Sequence, residues 1–256
     1  MSDRMLLKLG GSIITDKSKD CSINYDRLSS VAAMIAAAQA GGMIIIHGAG
    51  SCGHPEAKRY RLDAGASAGE TEGIYVTHRA VSSLNEAVVE VLREKGVPAI
   101  GIHPLHLGVA DNGRLTAFEC QHLETMLSLG MVPVIHGDVV MDLSKGACIV
   151  SGDQLARYLA TGLKISRVGL ATDVPGVLDG DRVVPEITRS SVPALKIGSS
   201  THTDVTGGMR GKINELLELA DAGIGSDIFH VSRIGDFLKG NDHGGTRVRG
   251  ITSHGR

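Results

Sequence analysis

The chain predicts an α/β fold built on a parallel sheet. Three observations lead there: short apolar, β-branched runs alternate with helical stripes, glycine loops directly follow the strands, and the composition suits many tight βα turns. Apolar residues fill 42% of the 256 positions, with 34 glycines and only 7 prolines. That length gives one large domain or two intimate lobes around a substantial core.

Residues 5–9 (MLLKL) read as a first strand, with Gly10, Gly11 and Ser12 in a phosphate-type loop behind it. Residues 25–40 read as a helix with Leu28, Val31, Ala32, Ile35 and Ala36 on its apolar stripe; Gly41-Gly42 ends it. Residues 43–46 are a second buried strand, closing a strand-helix-strand unit. The run Gly48-Ala49-Gly50-Ser51-Cys52-Gly53 then bares the backbone for an anion, and Pro55 is preset for the first turn of a helix. His54 is thereby expected where a loop meets a helix N-terminus, facing a phosphate. Gly48, Gly50 and Gly53 also match GxGxxG. An earlier strand already leads its own glycine loop, however, and no acidic residue ends an apolar second strand, so a dinucleotide site is not favoured.

Beyond a variable segment at 59–73, a helix is expected over 75–95 and a strand over 97–102. A hairpin follows at Asp111-Asn112-Gly113, then a helix over 119–129 and a strand over 131–135 leading into His136-Gly137-Asp138. Short strands at 139–141 and 149–150 precede Ser151, a helix N-cap, and a helix over 153–161. A strand at 167–171 runs into the turn-rich Thr172-Asp173-Val174-Pro175-Gly176-Val177, with a turn at 179–181. A helix with Met209, Ile213, Leu216, Leu217 and Ala220 on one face follows, then strands at 227–231 and 246–248.

Composition excludes several classes. A formal charge of −2 gives no sign of a nucleic-acid or membrane partner, and 3% aromatic residues without Trp remove base-stacking platforms. No apolar run approaches the ~20 residues of a membrane span, and the N-terminus lacks a signal-peptide layout, so a cytoplasmic protein is expected. Cys21, Cys52, Cys120 and Cys148 are widely spaced, which favours reduced thiols over disulfides or zinc. His103 and His106 read as loop or surface residues, without metal-site spacing.

Lysines recur beside the bare loops: Lys8 before Gly10-Gly11, Lys17 just beyond, and Lys212 after Gly207-Gly208 and Gly211. Each alone reads as a solvated charge; together they suggest phosphoryl transfer, whose transition state spreads negative charge. Like charges 4 Å apart repel by about 4 kcal/mol at an effective dielectric near 20, so an acceptor that is itself a phosphate needs several cations. Asp153 either caps its helix or holds two lysines in position. A Walker P-loop is absent, because GGMRGK lacks the first glycine and Ile213 stands at the hydroxyl position.

LLKLGGSIITDK, IIIHGAGSCGHP, MVPVIHGDVV, SGDQLA, ISRVGLATDVPGV, DVTGGMRGKINELLELA and the terminal GTRV together resemble the amino-acid kinase superfamily. Within it they resemble the isopentenyl phosphate kinase family, over essentially the whole chain. The resemblance implies an open αβα sandwich with a mainly parallel central sheet, usually a homodimer. It implies a single domain, with residues 1–150 as an acceptor-binding and dimerising N-lobe and 151–256 as an ATP-binding C-lobe. The implied reaction moves the γ-phosphoryl of ATP onto isopentenyl phosphate to give isopentenyl diphosphate, with Mg²⁺ carried mainly by the phosphates. A fosfomycin-type kinase or a non-catalytic nucleotide-binding storage or sensor protein is the alternative on the same fold.

Carried onto this chain, the resemblance gives Lys8 and Lys17 the transferring phosphoryl and has Asp153 orient the lysines. His54 would hydrogen-bond the acceptor's phosphate, helped by the backbone of Ala49 and Gly152. Gly10, Gly11, Ser12 and Gly50 would cradle the ATP phosphates, while Thr172, Asp173, Gly176, Gly208 and Lys212 would bind nucleotide. Ala49 replaces a glycine usual in that loop, and Cys52 stands where the family commonly has Phe. Ile74, Tyr75, Val76 and Val81 would line a pocket for the prenyl tail or form an ordinary core stripe.

Overall fold

The computed structural model describes residues 4–16, 21–39, 41–194 and 208–250. The first half runs β1 (Met5–Leu9), α1 (Gly11–Ile14), β2 (Thr15–Asp16), β3 (Ser22–Ile23), α2 (Tyr25–Ala38), β4 (Met43–His47), α3 (Gly50–Arg59) and α4 (Thr71–Glu94). It continues with β5 (Ala99–Ile102), α5 (Pro104–Leu107), β6 (Gly108–Asp111), β7 (Arg114–Phe118), α6 (Cys120–Ser128), β8 (Val132–His136), β9 (Asp138–Asp142) and β10 (Gly146–Val150). The second half holds α7 (Gly152–Gly162), β11 (Arg167–Thr172), β12 (Leu178–Asp179), β13 (Arg182–Val183), β14 (Glu186–Ile187), α8 (Gly208–Asp221), β15 (Ser226–His230), α9 (Ile234–Lys239) and β16 (Thr246–Val248).

Eight strands form the central sheet in the order β14-β16-β15-β11-β1-β4-β8-β5, and every neighbouring pair is parallel except β15 with β16. The alternation of strand side chains sorts the core into two layers. On β1, Leu6 faces the layer built from Leu123 of α6, Leu155 and Leu159 of α7, and Leu216 of α8. Leu7 and Leu9 face the opposite layer, with Leu28 and Val31 of α2, Leu84 and Val88 of α4, and Phe237 of α9. A sheet covered on both sides explains why β1 and β4 are apolar throughout instead of alternating. The αβα sandwich is thus the architecture of the chain. A second sheet, β10-β9-β6-β7, lies beside it. Its β6–β7 turn has Asn112 at φ 49° and Gly113 at φ 82°, the left-handed pair that Asn-Gly favours.

Two expectations fail, for related reasons. The helix after β4 starts at Gly50 rather than at Pro55, so His54 lies in its second turn and Pro55 lies inside it. Pro55 has no N–H to return to the Ser51 carbonyl one turn earlier. The Cys21 N–H reaches that carbonyl instead, at 3.4 Å. The same approach lets Cys21 pair with Cys52 in a disulfide across 31 residues of sequence, against the expectation of reduced thiols. Spacing could not reveal it, because the small β2–β3 hairpin brings Cys21 onto α3. Helix α4 also begins four residues before its expected start, and α2 ends at Ala38. Among the described residues no helix is long and apolar enough to cross a membrane.

Alkylation of the unreduced, denatured protein should therefore label Cys120 and Cys148 alone. A Cys21→Ser/Cys52→Ser double variant should lose about 2–4 kcal/mol in denaturant titrations. Four labelled thiols in protein kept from reductant would disprove the pairing.

Candidate active site

Lys8 lies on the same face of β1 as Leu6, which points it towards α7. Asp153 waits there in the first turn of α7, whose N-cap Ser151 accepts the Gln154 N–H at 3.1 Å. The Lys8 ammonium donates to Asp153 Oδ1 at 2.8 Å, and the Lys212 Nζ of α8 stands 3.6 Å from Oδ2. Lys8 is only 4% exposed and Asp153 5%. Burial by itself would raise the Asp153 carboxyl, but the charges of Lys8 and Lys212 and their hydrogen bonds outweigh it and hold the group below its ordinary value. Among the described residues, two cations share this one carboxylate.

The glycine loops after β1 and β4 interlock beside this cluster. A Cβ on Gly11 would lie 2.7 Å from Gly50 N, and one on Gly48 would lie 2.9 Å from Gly11 N. No larger residue fits either position. Gly10 donates its N–H to the Ala171 carbonyl of β11, and Gly48 donates to the Leu9 carbonyl, which fixes both loops to the sheet. Ser12 follows in α1, half-buried. At the head of α3, Thr15 Oγ1 takes the Ser51 N–H at 3.0 Å. That leaves the amides of Ala49 and Gly50 among those a helix cannot satisfy internally. Gly137, after β8, sits beneath them: a Cβ there would lie 3.3 Å from Gly152 N and 3.8 Å from Ala49 N. The backbone nitrogens of Ala49 and Gly152, the two expected to meet the acceptor's phosphate, thus both lie close to Gly137.

In the second half, Thr172 ends β11 with its hydroxyl donating to the Val174 carbonyl at 2.8 Å, and Asp173 beside it is exposed. Gly176 is buried where a Cβ would meet Thr246 Oγ1 at 2.7 Å. Gly208 opens α8, with Lys212 one turn inside. A cleft of about 540 Å³ runs along Ser151, Asp153 and Gln154 of α7, Gly211 and Asn214 of α8, and the β6–β7 turn.

Sequence reasoning missed the side chains that hold α8. Glu215, one turn beyond Lys212, accepts a hydrogen bond from the Arg157 Nε of α7 at 2.7 Å and is gripped by both terminal nitrogens of Arg114 on β7. Only its place three residues after Lys212 could have flagged it. His103 lies in the turn between β5 and α5 and His106 is exposed, as expected of loop or surface residues, but His103 also joins a side-chain network. His103 is half-buried and hydrogen-bonded to His136 at 2.9 Å, within a group that includes His47, His78 and His106. Among the described residues no His, Cys, Asp or Glu cluster could hold a metal ion. Val81 is a core side chain against Gly53, Ile74 packs with Leu62 and Val139, and Tyr75 is exposed. His54 is half-buried on α3, and Lys17 lies outside the described residues.

Residues 3–230 match the model of the amino acid kinase family. The chain is 40% identical to an isopentenyl phosphate kinase from Haloferax volcanii, over 96% of this chain and 98% of that one. It is 36% identical to an isopentenyl phosphate kinase from Methanothermobacter thermautotrophicus, over 96% and 99%. A solved isopentenyl phosphate kinase superposes with a TM-score of 0.86 at 33% identity, covering 96% of this chain and 99% of that one.

Asp153→Asn removes the shared counter-charge and leaves two ammonium groups facing each other, one of them buried. It should cost about 3–5 kcal/mol at neutral pH. The folded carboxyl lies below its ordinary 3.8, so its stabilisation is present above that value and lost as pH falls through the lowered one. The stability gap between wild type and variant should therefore be flat from pH 7 down to about 4 and shrink below it. A gap that widens in acid would contradict the assignment.

Proposed function

The chain belongs to the amino acid kinase family, and from that premise we propose that it is an ATP-dependent isopentenyl phosphate kinase, producing isopentenyl diphosphate. The observation that carries this reading is the Lys8–Asp153–Lys212 cluster beside two interlocked glycine loops, at the C-terminal ends of parallel strands.

In this reading the acceptor needs no general base. A phosphate monoester is already largely ionised at neutral pH, its second pKa being about 6. Its terminal oxygen attacks the γ-phosphorus in line, the bond to the β-phosphate oxygen breaks, and ADP leaves with the electron pair. What must be supplied is position and positive charge. Lys8, held rigid by Asp153, neutralises the transferring group, and Lys17 takes the same part. Lys212 meets the nucleotide phosphates from α8, and the amides of Gly10, Gly11 and Gly50 receive their oxygens. His54 and the amides of Ala49 and Gly152 hold the acceptor's phosphate. Thr172, Asp173 and Gly176 take the nucleoside side.

Asp153 is occupied by two ammonium groups and no other carboxylate cluster is available among the described residues. Mg²⁺ would be carried mainly by the nucleotide's own oxygens, where it would supply further charge neutralisation. Residues up to about 150 serve the acceptor and a homodimer contact, and the remainder serves ATP, in a cytoplasmic enzyme.

A coupled ADP assay should show turnover with isopentenyl phosphate and none with acetylglutamate, glutamate or UMP; fosfomycin as sole acceptor tests the competing kinase reading. Tight ATP binding without turnover of any acceptor would favour a storage or sensor role. His54→Ala should lower kcat/KM for the acceptor by roughly 100-fold while the KM for ATP stays within about twofold. Unchanged acceptor kinetics would remove His54 from the site.

A further inference from the structure

Strands β4 and β8 both end in His-Gly, and the parallel register sets His47 directly beside His136. Strand alternation places both imidazoles on the α4 side of the sheet, in line with Ile45 and Val134. Both are fully buried and their rings stack, with centroids 5.7 Å apart and planes 24° apart. Each makes the same bond: His47 Nδ1 lies 3.0 Å from the Gly48 carbonyl oxygen, and His136 Nδ1 lies 3.2 Å from the Gly137 carbonyl oxygen. A carbonyl can only accept, so Nδ1 carries the proton in both rings.

The rest of the network follows from that tautomer. The lone pair on His136 Nε2 accepts from His103 Nδ1 at 2.9 Å. His47 Nε2 lies 3.0 Å from Asn85 Oδ1; a neutral ring that spends its one proton on the Gly48 carbonyl has only a lone pair left there, so the Asn85 amide has to be turned over, exchanging its oxygen and nitrogen. Asn85 must present Nδ2 to it, which also gives a partner to an amide nitrogen that otherwise lacks one. Burial pushes both imidazoles below their ordinary range, the effect being stronger at His136, where neighbouring histidines add to it. Both rings are neutral at physiological pH. His78, paired with Asp138 at 2.9 Å, completes the layer on α4.

Resting on the kinase reading above, we infer that His47 and His136 are positioning residues for the acceptor's phosphate. In a trans peptide the carbonyl and the following N–H point in opposite directions, and no peptide among the described residues is cis. By drawing the Gly48 carbonyl towards the α4 layer, His47 turns the Ala49 N–H the other way. His136 holds the Gly137–Asp138 peptide by its carbonyl, and the Gly137 N–H donates to the His47 carbonyl at 3.0 Å, which ties the end of β8 to the end of β4. Gly137 lies close to the backbone nitrogens of Ala49 and Gly152: a Cβ there would be 3.8 Å and 3.3 Å from them. His47 thus aims the Ala49 amide, and His136 braces the neighbouring strand end that packs against it; neither needs to touch the substrate.

Two measurements test this. In wild-type protein, two-bond ¹H–¹⁵N correlations should show His47 and His136 as neutral, Nδ1-protonated imidazoles across pH 6–8. An Nε2-protonated ring or an imidazolium at either position overturns the inference, whatever the enzyme phosphorylates. In kinetics, His47→Leu should raise the KM for isopentenyl phosphate by about tenfold or more, with the KM for ATP within about twofold. His47→Asn, whose amide replaces the Nδ1 donor, should recover most of that loss, whereas His47→Gln, which replaces only Nε2, should not. Equal losses for both substrates, or equal behaviour of the Asn and Gln variants, would sink the inference while wild-type turnover keeps the kinase reading. Absence of wild-type turnover with isopentenyl phosphate would sink that reading itself.

Discussion

One carboxylate organises this molecule. Asp153 is buried, as is Lys8, and neither could stay charged there alone, since an isolated ion in a protein interior costs far more than a typical fold can spare. Together with Lys212 they cost much less, and they tie the centre of β1 to the start of α7 and the second turn of α8. Three segments far apart in sequence are brought within hydrogen-bonding or ion-pair distance of one another. Among the described residues, the Asp153 carboxylate is shared by two ammonium groups. A bound phosphate would meet these same ammonium groups, so the same arrangement that orders the protein also prepares it for its ligand.

The glycine loops give that charge a shape. Gly11 and Gly48 pack so closely against the opposite loop that a single methyl group would push them apart. Such contact brings peptide N–H groups from two strand ends into one small volume, where amides solvate an anion without needing to reorganise. The imidazoles of His47 and His136 and the guanidinium pair on Glu215 work behind this surface. The former hold peptide planes, and the latter hold the helix that carries Lys212. Rigid positioning in this enzyme is distributed over buried polar contacts rather than assigned to the loops themselves.

The α3 segment shows how local chemistry yields to its surroundings. Pro55 suits a first helical turn and alone argues for a start there. The structure starts the helix five residues earlier, because Gly50 adopts φ 56° and Thr15 takes up the Ser51 amide. The carbonyl that Pro55 cannot serve receives Cys21 from the neighbouring hairpin. Cys52, where the family resemblance implies Phe, is half of a disulfide, a covalent tie between α3 and the β2–β3 hairpin.

The sequence alone determined that the sheet is covered on both faces and where several of its strands lie. Continuous apolar runs demanded a sheet covered on both faces, and the loop glycines marked where strands stop; β1 and β16 matched their expected limits residue for residue. Lys8, Asp153, Lys212 and the glycine loops were legible because their residue types and strand-end addresses are local signals. The tertiary structure decided which partners meet. Nothing in the spacing of Cys21 and Cys52 foretold their bond, and nothing local linked Glu215 to Arg114 and Arg157, or His136 to His103. Those contacts arise from strand register, from the side of the sheet on which a residue falls, and from helix docking. Each is settled only when distant stretches of chain bury their apolar faces together, so a linear pattern carries no trace of them.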